Sequence, residues 1–344
     1  MTVSTADRPS TASASRIVGI DVARGVAVLG MFVAHLVPDH WPETLADGRS
    51  SVLFATLAGV SLGLITGGAT PTPSDSRGPA RSSVALRALF LVGLGLLLWT
   101  LDSGIAIILD YYGAFYLVLI AVLFAPRAVL AAIAAALAGL AGFVLSHAPD
   151  TAAGLIGSDP VLYLPTEWFV TGYYPGVLWV VYLLIGLIAA RSDLTRARTQ
   201  VTLVASGVAG VIVGYGGAAL LGTDASAHSD TVWEMLGAGG LAAALIGTLT
   251  AATAPSARFE ALARAARGVT WPVAAVGSMP LTVYTSQILV LTAFRSSWGD
   301  SGSDAERLAL LAGMSAGSLV LASLWRRFIG RGPLEWLVAR ISRR

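Results

Sequence analysis

The sequence predicts an all-α integral membrane protein, a polytopic bundle of about ten transmembrane helices with both termini cytoplasmic. Three observations carry this prediction. Of the 344 residues, 55% are hydrophobic and only 12% charged, against about 25% charged in a soluble domain; mean hydropathy is +0.74. The apolar stretches run for ~20 residues without period-two alternation, which fits helices and not a barrel. The arginines, finally, are sorted between two sets of loops. Lysine is absent, so all 22 basic residues are arginine, and nearly all lie in the N-terminal tail, 69–82, 125–127, 191–199, 254–270 and the C-terminal tail. The alternate loops hold only Arg49, Arg295 and Arg307, together with most of the acids: Asp39, Glu43, Asp47, Asp150, Asp159, Glu167, Asp224, Asp230, Asp300 and Asp304. The positive-inside rule makes the arginine-rich set cytoplasmic.

Taken in order, residues 1–16 read as a disordered cytoplasmic tail, 17–328 as a single transmembrane domain and 329–344 as a basic amphipathic cytoplasmic tail on the anionic inner leaflet. The expected spans are 17–37, 50–68, 83–101, 104–124, 127–146, 173–190, 200–221, 232–253, 271–293 and 307–328. The apolar stretch after the tail is too long for a signal-peptide core.

Span one, IVGIDVARGVAVLGMFVAHLV, carries Asp21, Arg24 and His35. At 100° per residue Arg24 and His35 fall within about 20° of each other, and Asp21 and His35 within about 40°. Ionisable groups on one face of a span mark a bundle interior or a wet path. Asp21 and Arg24 sit in the cytoplasmic third and form an ion pair by this reading; His35 lies about 21 Å beyond Asp21, near the outer surface. Span two opens with Arg49, Ser50 and Ser51 and continues along Gly59, Gly63 and Gly67, a small-residue ridge suited to helix packing, matched by Gly210 and Gly214 in span seven.

Span four contains Asp110, about 9 Å below the outer surface if the helix starts near Gly104; alternatively 102–112 is a broken or re-entrant segment with Asp110 at a cavity mouth. The outer link 147–172 holds Tyr163, Glu167 and Trp168, which suit either interfacial anchoring or a sugar-stacking platform. In span nine Pro280 is expected to kink the helix, and Thr282, Tyr284, Thr285, Ser286 and Gln287 then give its outer half a polar patch. Such a patch lines a cavity or makes interhelical hydrogen bonds.

Of four histidines, only His35 lies in a span; His40, His147 and His228 fall in outer loops as solvated residues, too scattered for a metal site. With no cysteine there is no thiolate nucleophile and no disulfide. No nucleophile elbow, phosphate loop or nucleic-acid pattern is present, and topology accounts for the basic face without a nucleic-acid partner. A neutral imidazole beside a carboxylate serves as a general base or as an acyl-accepting nucleophile; a histidine hydrogen-bonded within the bundle is the structural alternative.

The segment GIDVARGVAVLGMFVAHL resembles the first helix of the transmembrane acyltransferase superfamily, with an Asp-x-x-Arg-Gly motif at Asp21, Arg24 and Gly25 and a histidine, His35, fourteen residues after the aspartate. LADGRSSVLFATLAGVSLGL resembles the second helix of heparan-alpha-glucosaminide N-acetyltransferase-like proteins and their YeiB-type bacterial relatives; GYYPGVLWVVYLLIGLIAAR, GSMPLTVYTSQ and RGPLEWL are similar to later YeiB-type blocks. The resemblance implies a bacterial plasma-membrane enzyme that moves an acyl group, acetyl first, from cytoplasmic acyl-CoA as co-substrate to an envelope glycan or glycolipid acceptor outside. It implies a catalytic histidine at His35 by position, or at His40 in the loop between the first two spans, as in the glucosaminide branch. On this reading Arg24 and Asp21 belong to the CoA side. Asp110 orients His35 or holds the acceptor, and Arg49, Gln287, Tyr284, Trp168 and His40 serve the acceptor. No metal is implied, and homo-oligomerisation is left open. The rival from another class is a transporter or flippase of a small polar or lipid-linked substrate, against which stands the lack of an internal repeat.

Overall fold

The computed structural model describes residues 16–38, 40–255, 259–299 and 302–342, with backbone alone at 148–158, 160 and 298. The expected tail over residues 1–15, Asp39, Asp300 and the last two arginines lie outside the described residues. Of the described residues 77% are helical. In order the α-helices are α1 (Val18–Leu36), α2 (Arg49–Ile65), α3 (Arg77–Trp99), α4 (Leu109–Leu119), α5 (Arg127–Ser158), α6 (Tyr163–Thr166), α7 (Gly176–Ala190), α8 (Ala197–Val211), α9 (Gly217–Leu221), α10 (Val232–Thr253), α11 (Glu260–Val269), α12 (Trp271–Val276), α13 (Pro280–Trp298), α14 (Asp304–Phe328) and α15 (Pro333–Ile341). A π-helical turn, Ile212–Gly216, joins α8 to α9.

Six helical stretches of the described residues are long and apolar enough to cross a membrane, and a seventh if Tyr163–Thr171 and Gly176–Ala190, bent by 67°, count as one. The rest of the expected spans are short or broken. Helix α2 has 17 residues, α4 has 11, and the ninth span is split between α12 and α13. Short and interrupted helices need neighbours to satisfy their ends inside a membrane, and these segments lie at the centre of the bundle. Helix α1 packs on α2, α10, α12 and α14, while α2 lies against α7. Because lipid is as apolar as the core, close packing has to hold such elements together. At the α2–α7 crossing a Cβ on Gly59 would sit 1.9 Å from the Leu183 carbonyl oxygen, and one on Gly186 1.8 Å from that of Thr56. Gly59 and Gly63 of the expected ridge are therefore a packing seam, whereas Gly67 lies past α2 in a turn at φ 105°.

Three expectations on element boundaries are corrected. Pro280 starts a helix rather than kinking one: it opens α13 after a break at Gly277–Met279, since the first helical position needs no N–H. The free amides of α13 are capped from another helix, where Glu335 of α15 accepts hydrogen bonds from Leu281 N (2.7 Å), Thr282 N (3.1 Å) and Thr282 Oγ1 (2.6 Å). The break also lets α1 approach, because a Cβ on Gly277 would lie 1.7 Å from the Asp21 carbonyl oxygen. The fourth span does not run as a helix from Gly104; α4 starts at Leu109, and the non-helical stretch before it ends with Ile108 N donating to Tyr284 Oη at 3.3 Å. The outer link is shorter than 147–172, since α5 continues through His147 to Ser158. The C-terminal helix α15 docks on α3 and α13.

Candidate active site

Helix α1 fixes the two ends of the site. At its start Asp21, 2% exposed, accepts Arg24 Nη1 at 3.2 Å and also pairs with Arg16, while Arg326 Nη2 lies 3.9 Å away. The expected Asp21–Arg24 pair is thus present within a larger cluster, and Arg24 Nη2 reaches Ser61 Oγ at 2.9 Å on α2. Arg24, Ser61 and Arg87 line a cavity of about 210 Å³ with Phe54, Leu91, Leu109, Tyr112 and Tyr116, and with Glu335, whose carboxylate is taken up by the start of α13. Polar guanidinium groups with an apolar shaft suit a ligand that has an anionic head and a long arm.

The far end of α1 carries His35, whose Nδ1 lies 2.7 Å from Gln287 Nε2 on α13. Gln287 is 1% exposed and its Oε1 has no partner among the described residues. Nitrogen and oxygen of a glutamine amide are assigned from their surroundings. Turning the amide over lets Oε1 accept from an Nδ1–H, which leaves Nε2 of His35 as the basic nitrogen. His35 lines a cavity of about 300 Å³ with Ser103, Gly104, Arg295 and Arg307. Arg295 pairs with Asp102 at 3.4 Å. A neighbouring cavity of about 330 Å³ shares Ser103, Gly104 and Ile105 and reaches Tyr111, Glu167 and Tyr173. The non-helical stretch before α4 is therefore the partition between two polar cavities at the His35 end.

Asp110 does not touch His35. It is fully buried in the first turn of α4, where Oδ2 accepts from Trp168 Nε1 at 2.8 Å and Oδ1 has no partner among the described residues. Trp168 thus holds Asp110 and is not a free stacking platform. Beside it Tyr111 Oη donates to Glu167 Oε1 at 2.9 Å and accepts from Tyr173 N at 3.2 Å. Tyr284, 1% exposed, anchors Ile108. Arg49 is bound within the protein: it pairs with Glu43, donates to Tyr215 Oη at 3.0 Å and to the Asp47 carbonyl at 3.0 Å. It clamps the start of α2 to the π turn after α8. His40 is exposed, pairs with Asp304 at 3.3 Å and is not among the residues lining the His35 cavity.

His228 corrects the sequence reading most. It is not a solvated loop residue but packs inside an aromatic cage, stacked on Trp179 at 6.0 Å and against Tyr173 (4.4 Å) and Tyr174 (5.7 Å). It lies within electrostatic reach of His35. Burial, then the nearby Arg49 charge, lowers its pKa to about 4, so the ring is neutral near pH 7. The loop that carries it is wound around one carboxylate: Glu234, 3% exposed, accepts from His228 N (2.7 Å) and Asp230 N (2.9 Å). No spacing rule announces this turn; Arg295 and Arg307, in contrast, stood out as arginines in acid-rich loops.

Asp230 gives a testable pH effect. Burial, then the neighbouring Glu234, pushes its pKa up to about 7. An unfolded aspartate releases its proton near pH ~3.9, so the folded state binds more protons across that window. The stability contributed by protonated Asp230 is complete below about pH 4 and is lost as pH rises through about 7. Asp230→Asn should flatten this fall, measured as thermal melting in detergent from about pH 5 to about pH 8. An unchanged slope would show that Asp230 does not titrate there.

Comparison with known families now gives the arrangement a context. No curated protein matches the chain. Residues 186–344 match a family described only as a protein of unknown function. Residues 16–221, well over half of the chain and including α1, α2, α4 and α7, match the family described as heparan-alpha-glucosaminide N-acetyltransferase, catalytic. A membrane acetyltransferase activity is what that match suggests, and by its extent the chain belongs to the heparan-alpha-glucosaminide N-acetyltransferase catalytic family.

Proposed function

We propose that the protein is a multi-pass enzyme of the bacterial cell membrane that transfers an acyl group, acetyl first, from cytoplasmic acyl-CoA to a hydroxyl or amine of an envelope glycan or glycolipid at the outer face. On this reading the about ten spans of the arginine-sorted topology put both termini and the Arg24 end inside. The observation that carries the proposal is the pair of cavities at opposite ends of α1, one holding Arg24 and Arg87, the other His35. Tyr112 and Leu109 of α4 line the first cavity, and the Tyr112 hydroxyl donates to the Ser51 carbonyl of α2 at 3.4 Å.

Arg24 and Arg87 attract the CoA phosphates, and the pantetheine arm follows the apolar wall past Leu109 toward Tyr112. The acceptor heteroatom attacks the thioester carbonyl carbon while its proton passes to His35 Nε2. The tetrahedral oxyanion is stabilised by Arg295 or Arg307. When the C–S bond breaks, the sulfur takes the proton from the imidazolium and leaves as the CoA thiol, which restores neutral His35. Gln287 fixes the tautomer. Asp110 shapes the outer pocket through Trp168.

Acetyl-CoA at about 100 times its Kd should stabilise the purified protein by about 2.7 kcal/mol. Gln287→Leu should retain that stabilisation and the KM for acetyl-CoA, yet lower kcat by about 10²-fold, because the ring loses its tautomer partner. A wild-type kcat would remove Gln287 from the mechanism. No acetyl-CoA stabilisation, with substrate uptake into protein-loaded vesicles, would replace the enzyme by a transporter.

A further inference from the structure

At the Arg24 end, but away from the Arg24 cavity, the start of α5, the end of α7 and the first turns of α8 enclose a separate cavity of about 570 Å³. Arg127, Arg196 and Arg198 line it together with the hydroxyl residues Ser192, Thr199 and Thr202, and no carboxylate is among its lining residues. Its position at this end follows from Arg191, the residue after α7, which reaches the Gly63 carbonyl near the end of α2, as Arg24 reaches Ser61. The three guanidiniums are differently engaged. Arg127 Nη1 donates to Ser192 Oγ at 3.3 Å, and Arg196 uses Nε on Asp193 at 2.9 Å, which leaves its terminal nitrogens. Arg198 has neither an acidic nor a hydrogen-bonding partner among the described residues. The first turn of α8 has no side-chain cap, so its amides add positive character on the same side.

Positive-inside sorting explains arginines at this end of the bundle. It does not explain their convergence on a cavity lined by hydroxyl groups. Guanidinium and hydroxyl donors without acceptors of charge select a phosphate. The back wall is apolar, with Ile185, Ile188 and Leu203. Outward along α8 and into the π turn after it, Val201, Val208 and Ile212 are exposed at 67%, 47% and 64%. Their spacings of seven and four form one helical stripe, about 130° around the helix from the cavity-lining Thr199, Thr202 and Ser206, with Arg198 at the border between the two faces. A soluble phosphate would use the arginines and leave the stripe idle; a phospholipid would use both, with its headgroup at the guanidiniums and its acyl chains on the stripe.

We propose that this cavity is a binding site for the headgroup of an anionic phospholipid, held by Arg127, Arg196 and Arg198. The site is independent of the acyl-transfer reading. The test uses the full chain in nanodiscs of phosphatidylcholine alone or mixed with phosphatidylglycerol, with retained lipid counted by native mass spectrometry and stability by thermal melting. Wild type should retain phosphatidylglycerol and melt higher in the mixed discs. Arg127→Ala/Arg198→Ala should weaken retention about tenfold or more while melting like wild type in phosphatidylcholine, where these exposed side chains contribute little. Arg198→Lys, which keeps the charge, should keep most of the retention. Equal retention by wild type and the double variant would overturn the proposal. So would competition by inorganic phosphate or glycerol phosphate at concentrations that compete with the lipid, which would make the site one for a soluble phosphate. Loss of desulfo-CoA stabilisation in the double variant would overturn it too, by assigning the arginines to a nucleotide.

Discussion

His35→Ala should lower acyl transfer by roughly 10²- to 10⁴-fold and leave stabilisation by acetyl-CoA intact. On the proposed mechanism the imidazole accepts the proton and the CoA phosphates bind at the opposite end of α1, so the donor site should persist. His40→Ala is the matched control. His40 is exposed and, among the described residues, pairs with Asp304 on the surface, so its loss should change the rate by less than about twofold. The assay is transfer of radiolabelled acetyl to membrane glycans in vesicles that contain each variant. If His40→Ala abolishes transfer and His35→Ala does not, the chemistry belongs to the loop between α1 and α2 and the present assignment is wrong.

Arg191→Ala should be the most damaging single change to the fold. The guanidinium ties the ends of α2 and α7 and the turn after α4 into one network. Nη1 donates to the carbonyls of Gly63 at 3.0 Å and Gly68 at 2.6 Å, and Nη2 to Thr66 Oγ1 at 2.7 Å and to the Leu123 carbonyl at 2.8 Å. Arg191 is 6% exposed. Removing it strands several buried carbonyl oxygens at helix ends, each costing about 1–3 kcal/mol, so a total loss of about 3–5 kcal/mol is expected. Arg191→Lys should rescue little of it, since one ammonium cannot span the carbonyls that a planar fork reaches. Melting temperature in detergent reads this directly, and a variant that melts like wild type would show that water replaces the guanidinium without cost.

Much of this architecture was legible in the sequence because charge in a membrane is expensive. Asp21, Arg24 and His35 had to face the interior, and the structure pairs the first two and gives the third a buried partner. That partner, Gln287, belonged to a polar patch visible in the sequence, but the pairing joins residues 252 apart in the chain. A helical period places a side chain on a face; it does not say which face of which distant helix it meets. Asp110 shows the same limit. Its depth was readable, but its hydrogen bond to Trp168 depends on the bend before α7. His228 was missed for a different reason: its burial comes from a turn wound around Glu234, and loop turns closed by one remote carboxylate leave no periodic trace. Pro280 was given the wrong role because a proline in an apolar run signals a kink or a start equally well, and the deciding cap, Glu335, lies 55 positions later.

The aromatic wall of the Arg24 cavity bears on the cell's energy economy. A protein that handles a donor on one side of a membrane and an acceptor on the other risks opening a leak for protons and sodium, which would drain the electrochemical gradient. Here Tyr112 and Tyr116 are both at least nine-tenths buried and line the Arg24 cavity together with Phe54 and Leu109. Buried aromatic rings of this kind offer an ion few polar groups in exchange for its water. A small neutral acyl group on a slender arm meets no such dehydration cost, so insulation against ions and passage of the group are compatible in one protein.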